Sequence, residues 1–110
     1  MSQLLLAVLT GCKTAATRDN LGNPVYSITQ AIVDKGAKVA VGFREEVLIQ
    51  AAFYFDERLW YYLTQNGNNV TASVYYAKED TEGKYGVGSS GEPVRVGDGT
   101  TVLYPAQWAP

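Results

Sequence analysis

The sequence predicts an α/β fold: a short parallel sheet with flanking helices and a C-terminal hairpin. Three observations carry this. Leu4-Leu5-Leu6-Ala7-Val8-Leu9 and Lys38-Val39-Ala40-Val41-Gly42 are short apolar runs without alternation, the pattern of strands buried on both faces. The segment between them has room for one helix, as a right-handed parallel crossover requires. Residues 45–66 then repeat apolar side chains at the 3.6-residue period, so a long amphipathic helix follows the second strand.

Taken in order, the first strand covers Leu4 to Leu9, and Thr10 to Leu21 is polar and turn-rich. Asn23-Pro24 is a helix-start signal, because Asn caps and Pro suits the first helical position. Val25, Ile28 and Ile32 fall on one face of that helix, and Gly36 ends it. In the long helix, Leu48, Ala51, Ala52, Phe55, Leu59, Tyr62 and Leu63 form the inward stripe, and Gly67 closes it. Asn69 caps a third helix from Val70 to about Glu79, with Val70, Val74 and Ala77 inward. Residues 80–92 are rich in charge, Gly and Ser and read as a flexible loop. Val94-Arg95-Val96 and Thr101-Val102-Leu103-Tyr104 flank Gly97-Asp98-Gly99, a hairpin signal, and Pro105 to Pro110 reads as a tail. The domain reading is a unit over 1–80, a loop over 81–93, and the hairpin and tail over 94–110.

Composition narrows the function. With 110 residues the chain has the size of one domain with one core. The net charge is −2 and the Lys and Arg residues are scattered, so no nucleic-acid footprint shows. No run approaches the length of a membrane span, and neither a nucleic acid nor a membrane is an expected partner. A single Cys forms no internal disulfide, which makes the cytoplasm the default compartment. The sequence contains no His. No metal-ligand set or cofactor motif appears: Gly97-Asp98-Gly99 lacks the other ligands of a calcium loop and reads as a tight turn.

Cys12 stands just beyond the first apolar run. It is either a nucleophile at a strand tip or a small apolar packing residue. Adjacent Lys13 can lower a thiol pKa but cannot serve as its base, because its own pKa lies near ~10. Arg44-Glu45-Glu46 follows the second strand, at the carboxyl edge where open α/β sheets bind ligands. Its alternative reading is helix-start chemistry, acids favouring the positive end of the helix dipole. Trp60-Tyr61-Tyr62 and Tyr75-Tyr76 read as core or subunit packing, in preference to a stacking surface.

Ala7-Val8-Leu9-Thr10-Gly11-Cys12-Lys13-Thr14-Ala15 resembles the strand and "AC-x-T-A" segment that bears the nucleophile of the caspase-like cysteine peptidases, nearest to the CHAT and gingipain-like branches. Ala31 to Phe43 is similar to that superfamily's route into the next strand. The long helix with Phe55, Leu59 and Trp60, then Asn66-Gly67 and a helix ending near Ala77-Lys78, completes a resemblance over roughly residues 4 to 80. It implies a partial caspase-like three-layer fold, with Cys12 as candidate nucleophile and Gly11, Lys13, Arg44 and Glu45 as candidate binding residues.

The resemblance begins halfway through that family's fold. There the catalytic His and its neighbouring Gly lie on a strand before the Cys strand, whereas only Met1, Ser2 and Gln3 precede it here. Metacaspase-type relatives that cut after basic residues carry an acid two positions before the nucleophile; this chain has Thr10. The expectation is a degenerate or split caspase-like module, inactive alone and acting in binding or assembly. Its thin half-sheet leaves an edge exposed, for a homo-oligomer or for a partner supplying the missing strands. The alternatives are a cysteine peptidase completed by a His-bearing partner chain, and a structural homo-oligomerising domain without chemistry.

Overall fold

The computed structural model describes residues 5–11, 13–19, 21–65 and 67–103. Leu4, Cys12, Asn66, Tyr104 and the 105–110 tail lie outside the described residues. The elements are β1 (Leu6–Val8), α1 (Ile28–Asp34), β2 (Val39–Phe43), α2 (Ile49–Thr64), α3 (Val70–Tyr85) and β3 (Pro93–Gly97). The sheet order is β1-β2-β3. The expected parallel pair forms, with Leu6 opposite Val39 and Val8 opposite Val41. β3 adds to the other side of β2 antiparallel, Arg95 opposite Val41.

β2 is buried along its whole length, as a central strand flanked on both faces must be. Its odd-numbered side chains, Val39, Val41 and Phe43, join Phe55, Leu59 and Leu63 of α2 and Val70, Val74 and Ala77 of α3 in the core. Phe43 and Phe55 meet edge-on at 5.2 Å between ring centroids. On the opposite face Gly42 lies against Thr29 of α1. The fold is therefore three layers: α1, the sheet, and the α2–α3 pair.

Four local expectations are corrected. First, α1 starts at Ile28, not after Asn23-Pro24. Pro24 forms an isolated antiparallel bridge with Arg18, and Asp19 Oδ1 accepts from the amides of Leu21 and Asn23. Ser27 is the cap; its hydroxyl accepts from Gln30 N–H at 3.1 Å. The face of α1 that enters the structure is Thr29, fully buried, while Val25 and Ile28 are exposed. Close approach to Gly42 explains this: a larger apolar side chain at 29 would not fit.

Second, α2 begins at Ile49 rather than Glu45. Arg44 and Glu45 N–H groups donate to Glu92 and Gly91 carbonyls, each at 3.1 Å, so the β2–β3 ladder holds this segment extended. Glu45 and Glu46 lie outside the first helical turn, and the helix-dipole reading of them falls. Third, α3 continues six residues past Glu79, through the stretch read as loop, to Tyr85. Packing on α2 carries it through the charged stretch: Tyr85 meets Tyr54 edge-on at 5.9 Å, and Lys84 Nζ sits 4.3 Å from the Tyr54 ring centroid.

Fourth, the two segments flanking Gly97-Asp98-Gly99 do not pair with each other among the described residues. The tight turn forms, with Asp98 Oδ1 accepting from Thr100 N–H at 3.0 Å. The chain then crosses to the start of α3. Gly99 and Thr101 carbonyls accept from Thr71 and Val70 N–H at 3.0 and 2.9 Å, and Val102 bridges Asn69. The unsatisfied N–H groups of a helix start are strong recruiters of passing carbonyls, and here they outcompete a hairpin.

Candidate functional site at the carboxyl edge of the sheet

The loop after β1 is fastened to the end of β2. Leu9 N–H donates to Val41 C=O and Ala15 N–H to Phe43 C=O, each at 2.9 Å. Between them Lys13 N–H reaches Glu45 C=O at 3.4 Å. Thr14 is the inner fixing point. Its hydroxyl accepts from Phe43 N–H at 3.0 Å and donates toward the Gly11 and Leu9 carbonyls at 3.1 and 3.3 Å. Lys13 takes a φ of 61°, a left-handed conformation that a non-glycine residue rarely adopts without such over-determination.

Cys12, the candidate nucleophile, lies outside the described residues; its neighbours Gly11 and Lys13 are partly buried. Lys13 and Glu45 come together through their backbones. Gly11 and Thr10 line an apolar cleft of about 150 Å³ against Val47, Ile49, Ala52 and Phe53. Lys13 lines a different, more open depression with Arg18, Asp19 and Tyr26. Arg44 lines a third, between α3 and β3, with Lys78 and Arg95. The four candidate binding residues thus share one edge of the sheet, but Gly11, Lys13 and Arg44 line three separate surfaces and Glu45 lines none of them.

The sequence reading did not single out Asp56. It lies on α2 beside the buried stripe of Ala52, Phe55 and Leu59, and Thr10 Oγ1 donates to its Oδ2. Its Oδ1 is buried with no hydrogen-bond partner. Burial therefore pushes the carboxyl up from the usual aspartate range, against the opposing effect of the Thr10 hydrogen bond. An acid next to a core position in an amphipathic helix was the available signal.

Of the aromatic clusters only Tyr62 packs against the core; the rest lie at the surface. Trp60, Tyr61, Tyr75 and Tyr76 are all exposed. Tyr62 is partly buried; its hydroxyl donates to Asp80 at 2.7 Å, where Arg58 Nε also binds at 2.7 Å. No described helix is long and apolar enough to cross a membrane. No protein-family model matches the chain, and no curated protein matches it.

Proposed function

We propose that the chain is a caspase-like module, degenerate or split, that is inactive by itself and works by assembly through the outer edge of β1. The observation that supports this reading is the contrast between the two edges of the sheet. The β3 edge carries Pro93, Arg95 and Gly97, residues that blunt strand addition. β1, Leu6-Ala7-Val8, has neither charge nor Pro, and among the described residues it pairs only with β2. Its composition is that of a central strand placed at an edge.

The neighbouring helix face continues the apolar surface. Ile49 is 69% and Phe53 63% exposed, beside the cleft that Thr10 and Gly11 line. A strand added to β1 from a second copy would satisfy the edge, and its connections would cover these side chains. The resemblance to the caspase-like peptidases supports the same placement, since the family's His-bearing strand precedes the Cys strand. Inactivity alone is the reading that the absence of His from this sequence supports, since His is the usual base that activates a thiol.

Sedimentation equilibrium tests the reading. The chain is expected to associate at micromolar concentration, and Ile49→Asp with Phe53→Asp, both surface changes, to leave it monomeric with its melting temperature unchanged. A wild-type monomer at that concentration overturns assembly through this edge. Hydrolysis of Arg-, Lys- or Asp-containing peptides by the chain alone, lost in Cys12→Ala, overturns the inactivity.

A further inference from the structure

The groove between α3 and β3 gathers three of the chain's nine cationic residues. Arg44, Lys78 and Arg95 line it, with Thr71 and Tyr75 as polar groups and Val74 and Pro93 as apolar ones; among the described residues no acidic one lines it. Local charge, not the net charge of −2, governs what such a surface attracts. We propose that this groove binds an extended acidic peptide whose carboxylates recur at every third residue.

The cations are attached along the length of the groove, which favours a ligand with more than one anion. Arg95 stands at one end, held against α3 by Nε donating to Thr71 Oγ1 at 3.2 Å and by Nη1 donating to Gly97 C=O at 3.0 Å. Those two bonds leave part of its guanidinium donor set unspent. Arg44 stands at the other end, where its N–H meets Glu92 C=O beside Pro93, and Lys78 lies two helical turns along α3 from Thr71. Seven residues of α-helix rise roughly 10 Å. The anchor points of Arg95, at Thr71, and of Lys78 are about that far apart, so a ligand with several separated anions meets more of the cations than a single phosphate or carboxylate does. A peptide in the polyproline II conformation presents residues i and i+3 on one side about 9 Å apart. Its backbone would lie over Val74 and Pro93, with the exposed Tyr75 ring beside it. Three cations on a shallow groove, with the other Lys and Arg residues dispersed, are too few to follow a nucleic-acid backbone.

The test is fluorescence anisotropy with a labelled peptide of repeating Glu-Pro-Pro. Competitors are its Gln-Pro-Pro counterpart, a peptide of the same composition with the Glu residues clustered, single-stranded oligothymidylate, and inorganic phosphate. Expected are binding of Glu-Pro-Pro that weakens with salt, no competition by Gln-Pro-Pro, and weaker competition by the clustered peptide. Lys78→Gln and Arg44→Gln, surface changes whose folding is checked by thermal melting, should each weaken binding at least about tenfold. Equal competition by the clustered peptide, full displacement by phosphate, tighter binding of the oligonucleotide, or affinity unchanged in both variants would overturn the proposal, as would absence of binding. The outcome is independent of the assembly at β1, because the groove lies on the opposite edge of the sheet.

Discussion

Gly42→Ala tests whether the loop after β1 is held in place by close packing on β2. A Cβ added at residue 42 would lie 2.6 Å from Thr29 Cγ2, 2.7 Å from Thr14 Oγ1 and 3.3 Å from Ala15 Cβ. All three neighbours are fixed. Thr29 is fully buried, and its hydroxyl is 3.1 Å from the Ser27 hydroxyl; Thr14 holds Phe43 N–H; Ala15 is 2% exposed. Overpacking of this kind typically costs about 1–3 kcal/mol. Displacing Thr14 also frees the Phe43 amide, which adds about 1 kcal/mol. The sum, about 2–4 kcal/mol, is a large part of the roughly 5–15 kcal/mol that stabilises a domain of this size. At about 4 °C per kcal/mol, the melting temperature should fall by about 8–16 °C.

Thermal melting followed by circular dichroism measures the loss, and hydrogen exchange locates it. Phe43 and Ala15 amides, which tie the loop to β2, should lose more protection than Val41. Thr29→Ser removes the methyl group nearest the added Cβ and keeps the hydroxyl. The double variant should recover at least about 0.5 kcal/mol relative to the sum of the single changes. A Gly42→Ala melting temperature within about 2 °C of wild type, or strict additivity with Thr29→Ser, would refute close packing as the cause.

Asp56 gives a pH dependence. Its carboxyl is raised in the fold by burial, so the folded state binds that proton more tightly than the unfolded chain, and ionisation opposes folding. That cost is fully present above the raised value and vanishes below the ordinary aspartate value of 3.8. Asp56→Asn should therefore raise the denaturation midpoint at neutral pH, with the gain fading by about pH 3; a gain independent of pH would reject the assignment. Ser27→Ala should cost about 1 kcal/mol in urea denaturation, because it removes the α1 cap, whereas Asn23→Ala should change stability by less than about 0.5 kcal/mol. The reverse order would return the helix start to Asn23.

Periodicity located the parts of the fold set by local burial. The two apolar runs became the parallel pair, and of the expected stripe Ala51, Ala52, Phe55, Leu59 and Leu63 became the face of α2 in the core, whereas Leu48 precedes the helix and is exposed and Tyr62 is only partly buried. The parts set by competition between distant segments were not legible. Glu45 has good helix-start chemistry, but the Gly91 carbonyl claims its amide. Thr101-Val102-Leu103 has strand composition, but the open N–H groups of α3 claim its backbone. In both cases local propensity supplied well under a hydrogen bond's worth of preference, and a tertiary partner decided. Thr29 as the buried face of α1 was illegible for the same reason: its burial depends on Gly42 thirteen residues on.

That dependence also bears on how the candidate site came to be where it is. A strand-tip loop usually moves more freely than the strands beneath it, because few of its backbone groups have partners. Here Leu9 and Ala15 return to β2 through their amides, the Thr14 hydroxyl binds the Phe43 amide, and the Lys13 amide reaches the Glu45 carbonyl just past β2. Such fixing is possible because position 42 has no side chain: Gly42 admits Thr14 from the loop and Thr29 from α1 at one point. A glycine in a central strand weakens that strand's own packing. In β2 it is the contact that sets where Thr10, Gly11 and Lys13 stand relative to α2 and to Glu45. Asp56 then acts on the same segment from the other side, through Thr10. The edge of the sheet is thus positioned from below by an absent side chain and from α2 by a partly buried acid, and a change at either should alter the loop before it unfolds the chain.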